Sequence, residues 1–440
     1  MSASPTSRSH DDSVFQRFFH WEAAGSLVLL GTTIVALVWA NSPWSDSYFG
    51  LIKTYLGISI GDQSFKMSLQ HWVNDALMVV FFFVVGLEIK RELVLGHLSS
   101  MRQAIVPVMA ALGGMVVPAA IYAGLNFSGP GSHGWGVPMA TDIAFALGIL
   151  ALFGSRAPIS LKVFLTALAI ADDLGAVMVI ALFYTEKIRI APLVVAAVFL
   201  LLMGAASKAG VRRIGVWTTL ILGVWIAVFA SGVHATVAGI LVAMMVPVRS
   251  RVDPKNFFRR VDENIEYLKG SDLTRDSMVD DEAQMTALED LYKTTGAMAP
   301  SGPYLERYLH LPQAFIVLPL FALFNAGVEL GGGVLQTLSS PISMGIILGL
   351  VVGKQIGIVV FSWLAIRFSG AGMPESMTWT QIWGVSCLAG IGFTMSLFVS
   401  ELAFQSPEMV TEAKVGILMA SLVAGIWGFM LLRRALPKES

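Results

Sequence analysis

The chain has 440 residues, 55% of them hydrophobic and only 13% charged, with a formal net charge of −1. A soluble domain carries roughly a quarter charged residues, so water is not the main solvent here, and a string of soluble domains or a nucleic-acid-binding surface is excluded. The lone Cys387 cannot form an intramolecular disulfide.

Residues 1–21 are polar with scattered Phe and end without a small-residue cleavage site, so the first apolar run reads as a retained helix rather than a signal peptide. Apolar runs of about 17 to 25 residues can each cross a hydrocarbon core as a helix. Twelve such spans are predicted, at 22–40, 70–88, 103–124, 133–153, 158–184, 189–206, 214–230, 232–248, 312–328, 341–365, 381–402 and 411–433. The chain therefore reads as an all-α polytopic membrane protein: spans one to eight over 22–248, a polar segment at 249–311, spans nine to twelve over 312–433, and a tail at 434–440.

Two connections are more than turns. Between the first two spans, Ile58-Ser59-Ile60 and Phe65-Lys66-Met67 flank Gly61-Asp62-Gln63-Ser64, which predicts a small β-hairpin over about 56–68. Its free edge invites pairing with a second copy. In the 249–311 segment, stretches such as Phe257-Phe258-Arg259-Arg260-Val261-Asp262 predict one or two short surface helices in a solvated linker. Of the 29 Lys and Arg residues, 23 fall together on one set of alternate connections, which predicts that both termini and the 249–311 segment are cytoplasmic and that the hairpin is periplasmic.

Charged groups inside a span are expensive and ask for a reason. Asp142 lies in the fourth span, Asp172 and Asp173 in the fifth, and Lys354 midway along the tenth. Three acids and one base suit a cation site. Neighbouring helical residues point about 100° apart, so Asp172 and Asp173 cannot both face one partner; one pairs with a base while the other stays available for an ion. Buried ion pairs that merely hold helices together are the plainer alternative, but they need no surplus carboxylate. Pro138 lacks an N–H, and Gly390-Ile391-Gly392 interrupts the eleventh span. Broken helices at mid-membrane survive where they line a watery cavity, and breaks in corresponding positions of two repeats point to a transporter site. Spans three to five and ten to twelve are the candidate repeats. Their odd offset makes them inverted.

Five strings carry a family resemblance: Ala140-Thr141-Asp142-Ile143-Ala144-Phe145, Ala169-Ile170-Ala171-Asp172-Asp173-Leu174-Gly175, Ser231-Gly232-Val233-His234-Ala235-Thr236, the run from Pro319 to Gly327, and the run from Gly390 to Ser396. From about residue 15 to 435 the chain resembles the NhaA sodium/proton antiporters, a family that itself illustrates the inverted-repeat principle. The resemblance implies an electrogenic, pH-regulated exchanger in the bacterial inner membrane, exporting sodium or lithium against inward protons, without a cofactor, and dimeric through the hairpin. It implies that Asp173 and Asp172 carry ion and proton, that Thr141 joins them as a sodium or lithium ligand, that Asp142 and Thr141 sit where the broken helices cross, and that Lys354 pairs with Asp172. Glu88, Lys90, Arg91 and Glu92 match the family's cytoplasmic-mouth cluster, and Glu306 matches a charged position there. Histidine as a residue type suits a pH switch, which makes His234 a candidate, although a lone His near a helix end is more often a packing residue.

Rival classes fare worse. An intramembrane aspartyl protease uses paired carboxylates, but its GxGD string is absent and a lysine among the acids is out of place. No string resembles a channel's carbonyl filter. A proton symporter for an organic solute stays open at this level.

Overall fold

An α-helix rises about 1.5 Å per residue, so a core of about 30 Å takes about 20 residues. Ten described helices are long and apolar enough to cross. The computed structural model describes residues 8–60, 63–185, 188–211, 213–250, 253–271, 281–298, 300–331, 333–370, 372–373 and 377–437. Residues 1–7, the predicted hairpin tip Gly61-Asp62, Lys187, Arg212, parts of the 249–311 segment (251–252, 272–280 and 299) and 438–440 lie outside the described residues.

In chain order the elements are α1 (Arg8–Ala40), α2 (Ser45–Lys53), β1 (Tyr55–Ile60), β2 (Gln63–Ser68), α3 (Leu69–Val94) and α4 (Met101–Asn126). A 3-10 stretch (Pro130–Met139) then leads into α5 (Ile143–Ala151), followed by α6 (Ile159–Phe183), α7 (Ile190–Lys208), α8 (Ile214–Ser231) and α9 (Thr236–Met245). Next come α10 (Pro254–Gly270), α11 (Glu282–Met298), α12 (Ser301–Asn325), α13 (Val334–Leu338), α14 (Pro341–Ser369), α15 (Trp379–Ala389), α16 (Phe393–Ala403) and α17 (Pro407–Ala435). The chain is thus a multi-pass helical membrane protein with one small two-stranded sheet among the described residues.

Length and composition give ten or eleven crossings among the described residues, against the twelve expected. α15 and α16 make an eleventh crossing, bent by 46° at the break between them. The stretch 232–248 does not make a twelfth by length: only Thr236–Met245 is helical, and ten residues reach about 15 Å, half the core. Apolar composition over 17 residues concealed the turn at Gly232 (φ 83°) and the extended backbone from Val246. The hairpin also differs in detail. Ile60 pairs with Gln63 and Ser59 with Ser64, so Gln63 and Ser64, expected in the turn, belong to β2.

Lipid tails are as apolar as leucine, so helices in a bilayer associate through close packing rather than through expulsion of water. Small residues let that happen where α4 crosses α14. A β-carbon on Gly113 would stand 2.2 Å from the Gly357 carbonyl oxygen, and one on Gly357 would stand 2.0 Å from that of Gly113. Around this crossing α6 packs on α4, and α17 packs on α14 and α15. The pair α7 and α8 is peripheral, with only 17% and 22% of its span residues buried, so its apolar faces meet lipid. The pair joins the body through α9, which lies against α3, and through the Trp225 indole of α8, which donates to the Asp75 carbonyl of α3 at 3.1 Å.

Two sets of three crossings share one pattern: continuous, broken, continuous. They are α4, the broken span 130–151 and α6, and then α14, the bent pair α15–α16 and α17. The two breaks, at 140–142 and 390–392, meet inside the protein, and that meeting frames the site.

Candidate functional site

Helix ends inside a membrane expose main-chain groups that have no water to bond. Here the two breaks satisfy each other. The Asp142 amide donates to the Ile391 carbonyl at 2.7 Å, the Thr141 hydroxyl to the Ala389 carbonyl at 2.9 Å, and the Ser396 hydroxyl to the Val137 carbonyl at 2.8 Å. Pro138 sits just before the first break, still within the 3-10 stretch. Gly390 and Gly392 keep right-handed backbone angles. Their need for hydrogen is spatial: a β-carbon on Gly390 would lie 2.5 Å from the Leu350 carbonyl oxygen.

The Asp142 carboxylate caps two helices at once. One oxygen accepts the Phe145 amide of α5 at 3.1 Å. The other accepts the Thr394 amide of α16 at 3.0 Å together with the Thr394 hydroxyl. Helix N-termini carry partial positive charge, so one buried anion compensates both. Lys354 does the converse. Its ammonium donates to the Met139 carbonyl, at the negative end of the 3-10 stretch, and to Asp172 Oδ2 at 2.9 Å.

Asp172 and Asp173 lie in α6, at 1% and 2% exposure, and Lys354 is fully buried. Asp172 keeps one oxygen, Oδ1, without a hydrogen-bond partner among the described residues, and so does Asp173 with Oδ2. Asp173, Asp142, Thr394, Glu88, His310 and Gln313 line one cavity. Asp172 and Lys354 are off that wall, one helical step behind it. The arrangement offers a cation a bare carboxylate oxygen in a recess whose wall mixes these polar groups with apolar side chains such as Phe81, Val84 and Leu318, with an ion pair beside it. Among the described residues no cluster of His, Cys, Asp or Glu has the geometry to hold a resident metal.

The six candidate pH-sensing residues fall into separate places. Glu88 is on the cavity wall. Arg91 bridges Glu306 at 3.1 Å and Glu92 at 3.3 Å, and the Glu92 carboxylate accepts the His97 amide. Lys90 instead donates to the Met244 and Val246 carbonyls at 2.6 and 2.5 Å, which ties the end of α9 to α3. His234 is not with them. It lies toward the hairpin end of α3, 3.4 Å from Asp75 and 2.7 Å from the Thr236 hydroxyl, with its ring edge-on to Phe398.

The sequence reading passed over several polar residues. Gln313 and His310 reach the cavity through α12, where a π-helical turn at Gln313–Val317 displaces the register. Such turns recur at functional sites, but apolar periodicity over a long span does not announce them. At the hairpin ends of the spans, Gln70, Asn74, Asn325, Glu401 and Lys414 form a network. Its signal was present as polar letters inside apolar runs, Asn325 among them.

Comparison with known proteins covers nearly the whole length. A family model described as Na+/H+ antiporter 1 matches residues 16–432. The chain is similar to a protein named Na(+)/H(+) antiporter NhaA from Sulfurimonas denitrificans, with 44% identity over 95% of each chain. Its identity to Na(+)/H(+) antiporter NhaA 2 from Syntrophotalea carbinolica is 44% over 97% of each. With the protein of the first name from Acidithiobacillus ferrooxidans it is 44% over 96% of this chain and 98% of the other.

Proposed function

The chain belongs to the Na+/H+ antiporter 1 family, and from that premise we propose that it exports sodium or lithium against inward-moving protons by letting the two compete for buried aspartates. It is a transporter rather than an enzyme, and no cofactor enters the scheme. The reading places it in a bacterial inner membrane with both termini in the cytoplasm, which follows from the lopsided Lys and Arg distribution. A homodimer through the hairpin edge completes it.

One observation carries the proposal: Asp173 is almost fully buried, presents an oxygen without a hydrogen-bond partner among the described residues, and lines the cavity. An aspartate in water has a pKa of about 3.9 and stays ionised at any cytoplasmic pH. Carboxyls removed from water can be protonated near neutrality, so protons and cations can contend there. Sodium and lithium are hard cations that take oxygen ligands. The Asp173 carboxylate supplies charge, and Asp172 and Thr141 supply further oxygens. When Asp172 takes a proton it releases Lys354, and the pair's two titrations are coupled. Exchange of more protons than cations moves net charge, and about 2.3 kcal/mol per charge per 100 mV then drives export.

Asp173→Asn tests this directly. In sealed vesicles loaded with a pH-sensitive dye, sodium-dependent proton movement is expected to vanish while the detergent-purified variant keeps its helical content. Wild-type exchange by that variant removes Asp173 from the mechanism. The competition itself has a second signature. Purified protein given sodium should release protons, and apparent sodium affinity should fall on the acid side by about tenfold per pH unit for each proton that the bound cation displaces.

A further inference from the structure

The cavity wall includes Glu88 toward the end of α3 and His310 and Gln313 in the first half of α12, away from the hairpin ends of both helices, so an exchanger needs a closure on the hairpin side that can part. Four spans converge there. Gln70 and Asn74 lie in the first two turns of α3, directly after the hairpin; Asn325 ends α12, Glu401 lies near the end of α16, and Lys414 lies two turns into α17. Asn74 and Asn325 exchange side-chain hydrogen bonds, at 3.2 Å from Asn74 Nδ2 to Asn325 Oδ1 and 2.8 Å in the reverse direction. The Gln70 amide donates to both Asn325 Oδ1 at 3.2 Å and Glu401 Oε1 at 3.3 Å. Lys414 pairs with the same Glu401 oxygen at 2.7 Å.

We propose that the Gln70–Asn74–Asn325–Glu401–Lys414 network is the latch that holds the hairpin-side mouth of the ion pathway shut in this state, and that it parts when the carrier turns to that side. Its chemistry suits a reversible seal. Amides and an ion pair near the ends of spans exchange protein partners for water with little net change in free energy, whereas an apolar seam would resist wetting. The network also joins helices from both parts of the site: α16 bears Thr394, which holds Asp142, while α3 and α12 bear Glu88 and Gln313 of the cavity wall. Separation of those helices therefore breaks the latch and rearranges the wall together. Directly inward of Asn325, Ala322 is fully buried and Phe321 meets Phe398 at 6.2 Å between ring centroids. The inference rests on the antiport reading, since a carrier alone needs a second mouth.

The test reads accessibility rather than transport. Ala322→Cys, placed in a Cys387→Ser background, is labelled from the hairpin side with a membrane-impermeant maleimide in sealed vesicles without sodium. Adding Lys414→Gln should raise the labelling rate by about tenfold, and adding Asn74→Ala should raise it too; about 1.4 kcal/mol removed from the closed state gives that factor. The exchange Glu401→Lys with Lys414→Glu should return the rate toward that of the parent. Unchanged labelling in both Lys414→Gln and Asn74→Ala overturns the latch. A rate that stays high in the charge exchange overturns the role of the ion pair. Should Lys414→Gln fail to reach the membrane, Asn74→Ala removes no charge and decides alone. Failure of the Asp173 reading would show in transport and leave these labelling rates as they are.

Discussion

Lys354 and Asp172 form a pair with 0% and 1% of their side chains exposed. Removing one partner leaves an uncompensated charge in low dielectric, at roughly 3–5 kcal/mol. Lys354→Ala is therefore expected to lower the melting temperature in detergent, and adding Asp172→Asn should recover much of the loss. Equal melting of Lys354→Ala and the parent would show that the two do not support each other. The charges themselves were legible in the sequence, because an ionisable letter inside a 20-residue apolar run is conspicuous. Their partners were less so. That Lys354 also holds the Met139 carbonyl, and that Asp142 serves two helix ends, depends on a crossing between residues some 250 positions apart, which local patterning does not encode.

At the scale of elements, the site exists because two helices stop early and point their ends at one another. Asp142 is the hinge of that arrangement, as N-cap to α5 and hydrogen-bond acceptor for α16. Loss of an N-cap costs roughly 0.5–2 kcal/mol, and Asp142→Ala loses two such contacts in a place without water. It should fall below Asp142→Asn in thermal stability, because the amide oxygen still accepts; the reverse order, read by scanning calorimetry, would refute the double cap. The interruptions could be found from Pro138 and from Gly390 and Gly392, although the first break itself falls at 140–142. The short α9 could not, since ten helical residues and seventeen apolar ones look alike until Gly232 and Val246 are given backbone angles.

For the whole molecule, the distribution of burial separates a packed body from a lipid-facing rim. α7 and α8 form the rim, and the β-hairpin stands beyond the membrane spans with Tyr55 and Leu56 exposed. An antiparallel pair with an uncovered edge seeks another strand. If the proposed dimer forms through the hairpin, deleting residues 56–67 yields a monomer in native mass spectrometry while vesicle exchange persists, since no described residue of the hairpin lines the cavity. A dimer that survives the deletion would move the interface elsewhere. The broad architecture was open to sequence reading because hydropathy is summed over many residues, and errors at single positions cancel.

At the α4–α14 crossing, Gly113 and Gly357 meet main chain to main chain. Where two side chains collide, a mutation that enlarges one can be forgiven by another that trims its neighbour. Here nothing remains to trim. A suppressor screen begun from Gly357→Ala, under selection for growth in high sodium, should accordingly return true revertants and no partner replacement at position 113.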